Sequence, residues 1–291
     1  MKNYILILFL VLGACRIQAQ YHEAGIFMGI SNYWGDLTPP KQFFLETHFA
    51  VGLAYQFNIT PRFSVRSNII WGQISGDDRH SDEGSGRKQR NLDFLSDIWE
   101  FSALFNANIL PFHPERGSRP ITPYGFLGIS LFHFNPTTMY KSERIALQPL
   151  GTEGQGITGY PDKYARWQVS IPFGLGIKFS LSSHFNLMIE GGMRKTFTDY
   201  LDDVSGDYVA LDVIKNGNGD LAATLSNRTY DADGKQIEQV GVPRGHAGKD
   251  WYTFVGVIGT YSFQGNYFFK RKKKKSSKPK KPKKKGSSRW M

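Results

Sequence analysis

From Gln168 to Leu181, large apolar residues (Val169, Ile171, Phe173, Leu175, Ile177, Phe179, Leu181) alternate with small or polar ones (Gln168, Ser170, Gly174, Gly176, Lys178, Ser180). Successive side chains of a β-strand point to opposite faces, so such a run is a strand with one oily and one wet face. It is long enough to cross a bilayer when tilted. Pro172 interrupts it by removing a backbone donor in mid-strand, which predicts a bulge there.

The pattern recurs. Phe49, Val51, Leu53, Tyr55 and Phe57 form one apolar face, Phe63, Val65, Ile69 and Trp71 a second, Trp99, Phe101, Ala103 and Phe105 a third, and Phe185, Leu187, Ile189 and Met193 a fourth. Three weaker segments, Glu23 to Tyr33, Thr122 to Phe134 and Trp251 to Phe263, bring the expected strands to eight; the last two are apolar on both faces. Soluble sandwiches also use alternating strands. The connections favour a membrane barrel: 34–46, 75–91, 135–167 and 198–250 are long, 59–62 and 182–184 are short, and 110–120 is intermediate. Transmembrane barrels show this alternation of short periplasmic turns and long external loops. The expected fold class is therefore all-β, an eight-stranded antiparallel transmembrane β-barrel with long external loops. Phe49, Leu53, Trp99, Phe101, Phe173 and Ile177 should face lipid, and both mature termini should be periplasmic.

The N-terminus agrees with export. Lys2 precedes an apolar run from Tyr4 to Ala14, too short to span a bilayer, and a small-residue segment ends at Ala19. This predicts a signal peptide over 1–19, a barrel over 20–264 and a basic tail over 265–291. Cleavage after Ala19 would remove Cys15, the one cysteine, and with it any thiol chemistry. Leu12, Gly13, Ala14 and Cys15 also resemble a lipoprotein processing site, in which Cys15 would be kept and acylated.

The net charge of +11 suggests a nucleic-acid binder until its location is read. Of 36 Lys and Arg, 13 lie between Lys270 and Arg289 with no acidic residue among them; the rest of the chain carries 23 basic against 25 acidic residues. The basicity belongs to an appendage: Lys270, Arg271, Lys272, Lys273, Lys274 and Lys275, then Lys280, Lys281, Lys283, Lys284 and Lys285 around Pro279 and Pro282. Self-repulsion and prolines predict a disordered tail awaiting an acidic acceptor: protein, cell-wall peptidoglycan or anionic lipid. The exported compartment argues against nucleic acid.

An eight-stranded barrel is wide enough only for its own interior side chains. The inward faces carry Glu23, Glu100 and Glu190 with Arg66, Lys178 and Arg194, which predicts a paired internal network rather than a channel. Enzyme signals are weak: there is no nucleophile elbow and no His-Glu-x-x-His pair. His48 and His133 fall in strands, where a lone histidine is more often structural than catalytic. Asp202, Asp203, Asp207 and Glu238 lack the spacing of a calcium loop. No cofactor or metal is expected.

Four segments carry a resemblance: Glu23 to Leu37, Thr122 to Gly128, Leu147 to Gly156 and Arg194 to Tyr208. Together they resemble the PorG-like outer-membrane proteins of type IX secretion. The first two are common among small barrels, and the last two are distinctive. The resemblance implies a non-enzymatic component that ties the periplasmic PorK and PorN ring to the outer membrane. Alternatives are a small barrel or adhesin with no part in secretion, or a barrel hydrolase. Within the distinctive motifs, Gly151 and Gly154 permit turns that other residues resist, and Asp202 and Asp203 can bond nearby amides. Leu150, Gly151, Thr152, Glu153 and Gly154, with Asp202, Asp203, Gly206 and Tyr208, are thus expected to shape external loops or dock a partner.

Overall fold

The computed structural model describes residues 21–38, 45–82, 84–112, 120–245 and 248–263. Cys15, the signal segment and the basic tail lie outside the described residues. The described residues form nine strands: β1 (Tyr21–Trp34), β2 (His48–Asn58), β3 (Phe63–Asp77), β4 (Asp93–Asn108), β5 (Ile121–Tyr140), β6 (Glu143–Ala146), β7 (Trp167–Ser180), β8 (Phe185–Thr196) and β9 (Trp251–Phe263). Eight form a wall in which each pairs antiparallel with its neighbours. The β1–β9 and β4–β5 pairings complete the ring, so no edge is left open. The short β6 folds back only on the far end of β5.

Alternation sorts the side chains as the sequence requires. Phe49, Leu53, Trp99, Phe101, Phe173 and Ile177 are exposed on the outer wall, while Ala50, Ala54, Gln56, Arg66, Glu100 and Lys178 are buried inside. The two segments apolar on both faces are β5 and β9, and their inward Tyr124, Phe126, Phe132, Phe134, Tyr252 and Phe254 fill the lumen.

The outer surface carries its own membrane markers. Trp34 lies opposite Trp251, Trp71 opposite Trp99, and His133 between Trp99 and Trp167. Every described tryptophan therefore sits toward the end with the long loops. Phe57, Phe63, Phe179, Phe185, Tyr261 and Phe263 mark the short-turn end. Trp251 and Tyr261 are separated by about 33 Å along β9, hence about 25 Å along the axis at a tilt of about 40°. That matches the apolar band of a membrane barrel. Among the described residues no helix is long and apolar enough to cross a membrane, and the strands make the crossing.

One expectation about the wall needs correction. Pro172 produces no bulge: β5 and β7 keep one register on either side of it, from Leu127↔Phe173 to Ser130↔Ser170, and only the pairs between are missing. The ladder skips the absent donor without inserting a residue, and β7 stays fully paired to β8 at Pro172↔Arg194. The longest loop carries helix outside the wall. Leu211–Asn218 and Asp220–Ser226 are helical and bury Ile214, Ala222 and Ala223 in a small cluster of their own.

Candidate functional site

Inside the barrel, Arg66 from β3 reaches Glu190 of β8 with one guanidinium nitrogen, at 2.9 and 2.7 Å from the two carboxylate oxygens. The Tyr124 hydroxyl donates to the same carboxylate. Arg194 pairs with Glu100 through Nε (3.0 Å) and a terminal nitrogen (3.3 Å), and Tyr252 donates to that carboxylate at 2.9 Å. The rings of Phe126 and Phe254 lie against the two guanidinium groups at 5.6 and 4.6 Å. Such pairs are tolerable in a packed lumen because the added hydrogen bonds offset desolvation.

The other two lumen charges do not pair as the balance of signs suggests. Glu23 accepts from Gln56, Asn58, Asn186 and Thr260. Lys178 has no hydrogen-bond partner for its ammonium, which lies 5.3 Å from the Phe112 ring centre and 5.9 Å from that of Tyr124. Neutral amides and aromatic faces thus replace the third ion pair.

Above the tryptophan belt the long loops form a built cap, and both distinctive motifs lie within it. Arg244, deep in the longest loop, donates to Glu153 Oε1 (3.0 Å), to the Asp203 carbonyl (2.6 Å) and, through Nε, to the Ser226 carbonyl (3.0 Å). Glu153 accepts the backbone amides of Ser205 (2.9 Å) and Gly206 (3.1 Å). Asp203 accepts the hydroxyls of Thr152 (2.5 Å) and Tyr164 (2.6 Å). Its backbone is left-handed (φ 67°), as is that of Gly151 (φ 61°), where a Cβ would stand 2.4 Å from the Gln155 carbonyl oxygen. The motif side chains of Thr152, Glu153, Asp202, Asp203 and Tyr208 are buried. They hold the loops to one another and do not project outward.

A second knot ties the cap to the barrel rim. The Tyr33 hydroxyl lies 2.6 Å from Asp202 Oδ2 and 3.0 Å from Asp250 Oδ1. One hydroxyl proton cannot serve both carboxylates. Burial, reinforced for Asp202 by the charge of Asp250, pushes both carboxyls well above the usual range. Burial likewise pushes Asp203 up to about 6, against the pull of Arg244 and the two hydroxyls.

The histidines that a hydrolase would need are placed otherwise. His133 stands in the outer belt, its ring 5.1 Å from that of Trp167. His48 Nε2 is 2.7 Å from Ser75 Oγ, but Ser75 gives its single proton to Glu46, which also binds His80 Nδ1 at 2.6 Å. The serine is therefore a relay between a histidine and a carboxylate, not an activated nucleophile. Among the described residues no group of three or more His, Cys, Asp or Glu is placed to hold a metal ion. Asp207, considered above as an oxygen ligand, instead pairs by backbone with Pro243.

A family model matches residues 2–223, from the N-terminal apolar run through β8 and both cap motifs. The chain belongs to the family described as a domain of unknown function, DUF6089. The match ends before Arg244, β9 and the basic tail. No curated protein matches this DUF6089 chain. Among solved structures it is similar to Ail, the attachment invasion locus protein of Yersinia pestis, at 10% identity and a TM-score of 0.39, over 84% of this chain and 100% of that one. It is also similar to Neisserial surface protein A, at 5% and 0.38 over 83% and 98%, and to OprG of Pseudomonas aeruginosa, at 11% and 0.36 over 84% and 98%. The fold assignment rests on this chain's own strand register and outer belt.

Proposed function

We propose that this DUF6089 protein is a sealed, non-enzymatic anchor in the outer membrane, exported by its signal segment, that tethers the periplasmic PorK and PorN ring of the type IX secretion machinery. The observation that carries the anchor reading is the closed lumen. Two Arg–Glu–Tyr clusters and a stack of aromatic rings occupy the space a solute would need, so the work falls to the parts outside the bilayer. The tether reading is supported by the resemblance of the Leu147 to Gly156 and Arg194 to Tyr208 motifs, and by where β9 ends. His22 pairs with Phe263 at the short-turn end, so a tail beginning at 265 departs from that side, which this reading places in the periplasm.

Truncation after Phe269 tests it. The barrel should remain inserted while ring proteins co-purify less. Contact with the full-length protein should weaken as salt rises, and Lys272 to Lys275→Glu should be worse than truncation, because it repels an acidic acceptor. Unchanged co-purification at low and high salt would rule out the tail as tether. Normal export in a deletion strain would instead favour a small barrel or adhesin with no role in secretion.

A further inference from the structure

Tyr33, next to last in β1, sets its hydroxyl between two carboxyls from distant parts of the chain, Asp202 in the longest loop and Asp250 just ahead of β9. All three side chains are buried. Each carboxyl commits one oxygen to a backbone amide: Asp202 Oδ1 accepts the Val204 N–H at 3.0 Å, and Asp250 Oδ2 accepts that of Leu201 at 2.9 Å. The other oxygen of each is turned on the same hydroxyl. The chain leaving β1 is pressed over this knot, since a Cβ on Gly35 would stand 2.0 Å from the Tyr33 hydroxyl oxygen and 2.1 Å from Asp250 Oδ1. A hydroxyl has one proton to give. Two ionised carboxylates facing it would leave a buried charge without a donor, which is costly.

The charges around the knot do not supply that donor. Arg90, whose field reaches Asp202, is held by Asp78 through two contacts at 2.7 Å and by the carbonyls of Asp36 and Arg244. Arg244 is committed to Glu153 and to the carbonyls of Asp203 and Ser226. Asp36, just after β1, adds negative field to both carboxyls, and Asp199 of the longest loop adds it to Asp250. Lys249 is exposed and acts on Asp199. Rim and cap therefore meet at three oxygens that a single added proton would reconcile.

We propose that Tyr33, Asp202 and Asp250 form a one-proton latch between the barrel rim and the cap. With the proton in place, one carboxyl donates to the Tyr33 hydroxyl and that hydroxyl donates to the other carboxylate. Without it, two like charges face one oxygen and the loop carrying Asp202 leaves the rim. Burial and the neighbouring acids raise both carboxyls in the closed form, whereas the open form ionises in the ordinary range. Closure is thus strongest in acid and is lost as pH rises through the raised value. Opening by this route grows about tenfold per pH unit until the closed form also loses the proton. Asp203, at about 6, has levelled off above pH 7, so the alkaline side belongs to the latch. The latch works whether or not the tail holds a partner.

Hydrogen exchange of the full chain in nanodiscs between pH 7 and pH 9, corrected for the intrinsic effect of pH, tests this. Peptides covering 199–204 should lose protection by about tenfold or more in the wild type. Asp202→Asn should keep its protection over the same range, because an amide N–H donates to Tyr33 with no proton to lose. Asp250→Asn should behave alike and serves if the first variant fails to insert, folding being shown by altered migration on boiling. Infrared spectra separate the latch from loosening elsewhere: the wild type at pH 7 should show a protonated-carboxyl stretch that fades together with the protection and is missing from both variants. Unchanged wild-type protection up to pH 9 would overturn the latch. So would an alkaline loss of wild-type size in a folded Asn variant, or no protonated-carboxyl stretch in the wild type at pH 7.

Discussion

Replacing Arg244 by methionine should open the cap without unfolding the barrel. The substitution keeps an apolar stem of similar reach but removes a guanidinium that is almost wholly buried and paired with Glu153. The carbonyls of Asp203 and Ser226 lose their donor in the same step. Removing one partner of a buried ion pair costs about 3–5 kcal/mol, because the other charge is left uncompensated. Here the lower end applies. Glu153 keeps the amides of Ser205 and Gly206, and Asp203 keeps the hydroxyls of Thr152 and Tyr164. A loss of about 3 kcal/mol raises the opening constant of the cap about a hundredfold. Hydrogen exchange read by mass spectrometry in nanodiscs should show it as lost protection over 150–156 and 199–208, with peptides from β2, β3 and β7 unchanged. Adding Glu153→Gln should recover part of the loss, since it neutralises the stranded carboxylate. Protection in Arg244→Met within twofold of the wild type would refute the view that the cap is held by this ion pair.

Three further outcomes follow from other parts of the molecule. Phe173→Arg places a cation on the lipid face in mid-wall and should destabilise the barrel by about 2–4 kcal/mol in denaturant titrations from vesicles; wild-type stability would mean that β7 faces the other way. The purified barrel should conduct no ions in a planar bilayer, and large stable conductance would contradict the packed lumen. The cap should tighten on acidification. The Asp203 carboxyl has a folded pKa of about 6 against an ordinary 3.8, so the folded cap binds its proton more tightly than the open one. Its contribution is therefore greatest below pH 4 and falls as pH rises toward 6, by at most about 3 kcal/mol. Exchange over 199–208, corrected for the intrinsic effect of pH on exchange, should slow between pH 7 and pH 5 and should not do so in Asp203→Asn.

The wall was legible because a strand's period is local. Phe173 and Gly174 declare opposite faces to any reader of the sequence, and eight such runs with alternating connections leave few closed arrangements. β5 and β9 were harder, since Phe126, Phe132, Tyr252 and Phe254 erase the alternation; the reason is that this lumen is filled with rings as well as charges. The tryptophan belt could have been found in part from the same strands, because Trp34, Trp167 and Trp251 stand at strand ends that adjoin long loops, with Trp71 and Trp99 six residues in from theirs. The cap had no such signal. Its central contact joins Glu153 to Arg244, 91 residues apart, and Tyr33 reaches Asp202 and Asp250 across 169 and 217. Loop residues brought together over such distances share no period, and their acids read as solvated. What the sequence did offer was distinctiveness: the Leu150 to Gly154 and Leu201 to Tyr208 segments stood out before either had a partner. Their burial explains why a loop should be so constrained. Glu153 bonds three groups from two other segments, so replacing it breaks contacts that no single neighbour could restore. A partner recognising this mouth of the barrel would meet the residues over that frame, and the motifs would set their positions.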